Sequence, residues 1–268
     1  MLNWGGGTTP LLMNAQELMT SNVFTVSPNQ ELLTAAQLMV DHGFRHLPIT
    51  EGGSVRFVLT ALGIINGIIN NGINALREPV ARYGSERFLM VSYSDDAMTV
   101  IKKMLDNGVD HALVLKGNEL VGIITERDLI NKMPEQSFTR YRVHEIANRN
   151  PVRINEDESL TSAMEVMIKH GIRHLLITDQ DKLLGIMTVK DILRYVVRYY
   201  KLRGGQVDLG IAVSKLMSHN PVTIDSAASL LDAVRLMRRN NIGSLPIVET
   251  GRLMGIITEH DIVRSIIK

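Results

Sequence analysis

The chain has 268 residues, of which 45 % are hydrophobic and only 4 % aromatic, and it carries 29 basic against 28 acidic side chains. That length admits one large domain or two of ordinary size, and the near-neutral balance argues against a general electrostatic partner such as nucleic acid or an anionic membrane surface. Cysteine is absent, which excludes disulfides and thiolate chemistry.

Residues 1–13 are glycine-rich and are expected to form a mobile tail; they lack the basic-then-apolar order of a signal peptide, so a cytoplasmic location is expected. A short strand, VFTV at 23–26, leads to Ser27, Pro28 and Gln30, which read as a capping box opening an amphipathic helix. The helix is expected to stop at Gly43. Two short strands follow, HLPIT and RFVLT, joined by a Glu51-Gly52-Gly53 turn, and a second helix starts after Thr60. The apolar run around Phe57–Ile69 is broken by Asn66 and is too short to span a bilayer.

The same order then recurs three times. Cap-like residues stand at Ser27, Ser92, Asn155 and Asp225, each followed after twelve positions by a methionine (Met39, Met104, Met167, Met237) and after thirty-three by a threonine (Thr60, Thr125, Thr188, Thr258). The methionines fill the core and are not ligands. Helix stops fall at Gly43, Gly108, Gly171 and Asn241. The unit is therefore strand, helix, strand, strand, helix, an α+β design repeated at about 14–72, 76–134, 141–203 and 210–268. Units this small share cores in pairs. Alternating features suggest a duplicated pair: Arg-His in the turns of units one and three, Ile-Thr-Glu-basic-Asp in units two and four. This predicts halves 14–134 and 141–268, with the polar stretch 135–140 as linker. The last helix of unit three carries Tyr195, Tyr199 and Tyr200, and its outer face is expected to be solvated.

The chemistry concentrates where the third strand meets the second helix. Gly122 to Asp128, Gly185 to Asp191 and Gly255 to Asp261 share Gly-hydrophobic-hydrophobic-Thr-x-x-Asp. As local structure this is a helix cap. As a site it presents unpaired amides and a threonine hydroxyl to a phosphate, and a carboxylate to the two hydroxyls of a ribose. Arg127, Lys190 and His260 add positive charge beside it. Unit one departs, with Gly63 for the aspartate and Phe57 for the glycine. No Ser-His-Asp order and no P-loop of GxxxxGK[ST] type is present, so a catalytic role is not expected. Zinc is not expected at His46, His111 and His174, which lie on separate units without a close second ligand.

These motifs, over about residues 14–266, resemble cystathionine-β-synthase (CBS) domains, and four tandem copies are similar to the nucleotide-sensing γ subunit of AMP-activated protein kinase. The resemblance implies two Bateman modules forming a flat disk, adenosine ligands between paired units, a ribose-binding aspartate, a phosphate-binding threonine and basic residues from the paired unit. It places Arg45 and His46 with Thr125, Arg127 and Asp128, and Arg173 and His174 with Thr258, His260 and Asp261. The cleft of Thr188 and Asp191 faces Gly243 and Ser244 and is left with Lys190 alone. The implied function is a non-catalytic sensor of AMP, ADP or ATP, with no metal required, that signals to a protein partner and dimerises. The alternatives are another adenosyl ligand such as S-adenosylmethionine, or a ligand-free interaction scaffold.

Overall fold

The computed structural model describes residues 13–268; the expected tail therefore lies outside the described residues, except Met13, whose carbonyl accepts from the Ala97 N–H at 2.8 Å. Unit one contains α1 (Ala15–Leu18), α2 (Leu32–His42), β1 (His46–Glu51), β2 (Ser54–Thr60) and α3 (Ala61–Asn71). Unit two adds β3 (Met90–Ser92), α4 (Ala97–Asp106), β4 (His111–Lys116), β5 (Glu119–Thr125) and α5 (Glu126–Lys132). Unit three has α6 (Val143–Ile146), β6 (Arg153–Ile154), α7 (Leu160–His170), β7 (His174–Asp179), β8 (Lys182–Thr188) and α8 (Val189–Leu202). Unit four has β9 (Ser218–His219), α9 (Leu230–Asn240), β10 (Ser244–Glu249), β11 (Arg252–Thr258) and α10 (Glu259–Ile266). The expected strand–helix–strand–strand–helix order is present, although the leading strands are short and in units one and four shrink to single bridges, Val26 with Ile49 and Ile224 with Ile247. No helix among the described residues is long and apolar enough to cross a membrane.

The helix starts are a correction. Ser27, Ser92, Asn155 and Asp225 open turns, and the first helices begin five residues later, with Glu31, Asp96, Ser159 and Ser229 at the N-cap positions. Ser27 and Gln30 do bond reciprocally, Ser27 N–H to Gln30 Oε1 at 2.9 Å, but the turn they close is not helical. The other ends hold: Gly43, Gly171 and Asn241 take left-handed backbone as helix stops. Met39, Met104, Met167 and Met237 are all buried.

Each unit lends its leading segment to its neighbour. Thr20 pairs with Ile123 of unit two, and Ser85 returns the exchange by pairing with Val58 of unit one. Asn148 likewise pairs with Ile256, and β9 with β8. Glycine makes room for these crossings: a methyl group on Gly122 or Gly185 would collide with Met19 or Met217, and on Gly255 with the Asn148 carbonyl. In unit one Phe57 fills that position, and the incoming segment supplies Gly84 instead.

Two cores result, and they cut across the halves. One joins units one and three, where α3 packs on α7 and α8; the other joins units two and four, where α5 packs on α10. Within each half the contact is strand to strand, β2 with β5 and β8 with β11. Tyr195 and Tyr200 belong to the first core and are buried, with Arg77 donating to the Tyr200 hydroxyl at 2.8 Å. The expectation of a solvated tyrosine face is corrected: long α8 is the seam against unit one. The stretch 135–140 is packed too, since Glu135–Phe138 forms a 3-10 turn with Phe138 fully buried.

Candidate functional site

All four second helices are capped by their threonine, and in the three that carry aspartate the cap is reciprocal. Thr125 Oγ1 donates to Asp128 Oδ2 at 2.6 Å while that oxygen also accepts the Thr125 N–H at 2.9 Å. Thr188 with Asp191 and Thr258 with Asp261 repeat this geometry. The local and the functional readings of the motif thus divide one carboxylate between them. Oδ2 holds the cap, and Oδ1 is left for other partners. The threonine proton is committed to the aspartate, which leaves donation beside these caps to the neighbouring basic side chains.

Two cavities open beside these caps, of about 490 and 460 Å³, within the range of small-molecule sites. The first is built on Thr125 and Asp128, with Arg45 and His46 from unit one and Arg127 from unit two. The exchanged segment closes it: Thr20 donates to Asp128 Oδ1 at 2.7 Å, and Phe24 adds an aromatic wall, its ring 4.2 Å from His42 and 5.6 Å from Phe44. The second is built on Thr258 and Asp261 with Arg173, His174 and His260, closed by Asn148, Pro151 and Val152 from the other exchanged segment. It runs on to Thr60, Asp110, Arg45 and His46. Lys190 is a correction: it lines the Asp128 cavity, while Thr188 and Asp191 line neither cavity and Asp191 Oδ1 accepts from Arg194 at 3.1 Å.

A charged hub lies between the cavities. Glu259 accepts from Arg127 at 2.7 Å and from Arg45 at 3.4 Å. Glu126 accepts from His260 at 2.6 Å and from Arg173 at 3.0 Å. Both carboxylates are about 2 % exposed or less, so each holds, from the other half of the chain, the bases of a cavity it does not belong to. Burial raises the Glu126 carboxyl above its usual range despite His260, and that hydrogen bond in turn raises His260. Burial, with Arg127 and Arg45 adding repulsion, pulls the Lys190 ammonium down to about 8.

His46 and His174 are not cations at neutral pH. Burial above all, then the neighbouring His111 for His46 and Arg45 for His174, pushes both well below 6.5. The expectation that both members of each Arg-His pair bring charge is corrected: only the arginines do. Nor do His46 and His111 lie apart. His46 and His111 stack at 4.2 Å, and both approach Asp110 Oδ1, at 3.1 and 3.0 Å. These three form a grouping of potential metal donors, and the other oxygen of Asp110 pairs with Arg173.

Spacing missed Glu126, Glu259, Asp110 and the exchanged segments. The glutamates stood in the repeated Ile-Thr-Glu motif, so a signal existed. The segments gave none, because each unit reads as self-contained.

This chain belongs to the CBS domain family, which matches it at residues 15–65, 80–135, 143–198 and 213–268. The crystal structure of MJ1225 from Methanocaldococcus jannaschii, put forward there as an archaeal homologue of the γ subunit of AMP-activated protein kinase, superposes with a TM-score of 0.83 at 22 % identity, covering 94 % of this chain and 99 % of that one. A conserved protein of Pyrococcus horikoshii superposes with a TM-score of 0.65 at 18 % identity, over 95 % and 100 % of the two chains. At these identities the likeness is one of fold. In sequence, MJ1404 of M. jannaschii is 27 % identical over 96 % of this chain, which spans 63 % of that protein.

Proposed function

We propose that the chain is a regulatory sensor without catalytic activity, binding adenine nucleotides (AMP, ADP or ATP) in the Asp128 and Asp261 cavities. Asp128 Oδ1 and Asp261 Oδ1 accept the ribose hydroxyls. Arg45, Arg127 and Lys190 in one cavity, and Arg173 and His260 in the other, meet the phosphates. Phe24 in the first and Val152 in the second offer apolar surface to the base. One observation carries the reading: in two cavities a cap carboxylate keeps one oxygen out of the cap while bases from other units converge nearby.

The hub supplies the means of signalling. A phosphate that draws Arg45 or Arg127 loosens their hold on Glu259, which sits on the opposite half. The ligand therefore binds one arrangement of the halves better than another, as regulation requires. A protein partner reads that arrangement. Isothermal titration of the purified chain with AMP, ADP, ATP and S-adenosylmethionine tests the proposal: binding at two sites is expected, and silence from all four removes it.

A further inference from the structure

The two cavities share a plan but not a charge. Around Asp128 stand three basic groups, Arg45, Arg127 and Lys190, with Glu259 behind the arginines. Lys190 has no acidic partner within 4 Å among the described residues, and Arg45 keeps only a 3.4 Å contact to Glu259. Both groups can turn to a ligand. Around Asp261 the lasting cations are Arg173 and the shared Arg45, and His260 adds charge only while protonated. Against them stand Asp110 on the wall and Glu126 behind. Arg173 is engaged at both terminal nitrogens, Nη1 by Asp110 and Nη2 by Glu126. Counting Asp128 with Glu259, and Asp261 with Asp110 and Glu126, three cations face two carboxylates in the first cavity and two face three in the second.

Asp110 makes the difference. In the turn pattern it occupies the place that Arg45 holds in HGFRHLPI and Arg173 in HGIRHLLI, since its own unit reads NGVDHALV. Where those turns deliver a guanidinium, this one delivers a carboxylate, held in place by His46, His111 and Arg173. Charges in a partly desolvated cavity are screened far less than at an open surface. A second or third phosphate is therefore drawn to the Asp128 cavity and opposed in the other.

We infer that the two cavities sort adenosyl ligands by charge: the Asp128 cavity takes di- and triphosphates, the Asp261 cavity takes ligands with one phosphate or none, and Asp110 determines this specificity. The inference rests on the adenine-nucleotide reading above. It is tested on full-length Asp261→Ala and Asp128→Ala proteins, each with one cavity left intact, by titration with AMP, ATP and neutral 5′-methylthioadenosine without magnesium. The Asp261→Ala protein should bind ATP about tenfold more tightly than AMP, and the Asp128→Ala protein should reverse that order. Adding Asp110→Asn to Asp128→Ala should raise ATP affinity about tenfold and methylthioadenosine affinity little. Equal ATP-to-AMP ratios in the two single-cavity proteins overturn the sorting. An unchanged ATP affinity on adding Asp110→Asn overturns the role of Asp110, and if that variant does not fold, the two proteins that keep Asp110 still decide the sorting. Absence of all binding removes the functional reading itself, whereas binding with equal ratios removes only the sorting.

Discussion

The Asp128 and Asp261 cavities are built alike: a Thr-x-x-Asp cap, an exchanged segment as a wall, an arginine from the paired unit and a buried glutamate from the other half. They differ in how firmly the arginine is held. Arg45 answers to one carboxylate and Arg173 to two. Repeated local geometry places the same cap in both cavities, while the contacts made across units decide how much of the arginine's charge is already paired.

The largest effect is expected from removing the glutamates. Glu259→Ala strands the buried Arg45 guanidinium, and losing one member of a buried ion pair costs about 3–5 kcal/mol. Glu126→Ala should cost roughly half as much, because Arg173 retains Asp110 and His260 is half exposed. Urea denaturation of both variants checks the order, and equal losses would mean that Asp110 does not support Arg173. Next come the caps. Asp128→Ala and Asp261→Ala should each remove binding in one cavity only and cost about 1 kcal/mol of stability through the lost cap bonds, measured by titration and thermal melting.

A third test uses pH. The Lys190 ammonium, lowered to about 8 by burial and by Arg127 and Arg45, is mostly charged at pH 7 and mostly neutral at pH 9. ATP binding to the Asp261→Ala protein should therefore weaken as pH rises through 8, and Lys190→Met should flatten that profile. In the Asp128→Ala protein the titrating group is instead His260, raised above 6.5 by Glu126. Its charge is present at low pH and lost as pH rises through its raised value, so AMP binding there should also weaken as pH rises above 6.5. The smallest effect is expected from Phe24→Ala, worth about 1 kcal/mol of aromatic stacking, or several-fold in affinity, in the Asp128 cavity and nothing in the other.

Much of this was legible in the chain. The threonine–aspartate caps and the buried methionines follow from spacing, because caps and helical periodicity are local, whereas the meeting of Arg45 with Asp128 and of Arg173 with Asp261 is what the resemblance to CBS domains implied. The helix starts were misplaced because Ser27 and Gln30 satisfy a capping pattern that a turn also satisfies. Lys190 was assigned to its own cap because sequence places a residue beside its neighbours, whereas its long side chain reaches the next cavity. The neutrality of His46 and His174 depends on burial, and burial between units leaves no mark on spacing. Tyr195 and Tyr200 appeared polar enough for water until the seam with unit one covered them.

The reciprocal loan of leading segments has a consequence for how such a chain can be divided or lengthened. A cut between units one and two, near residue 75, would separate Thr20 from Ile123 and Ser85 from Val58 at once, and a cut between units three and four would sever the other loan. A cut near residue 140 leaves both loans whole. A couple is then the smallest piece that keeps its loans, and the two couples are joined by the cores they share.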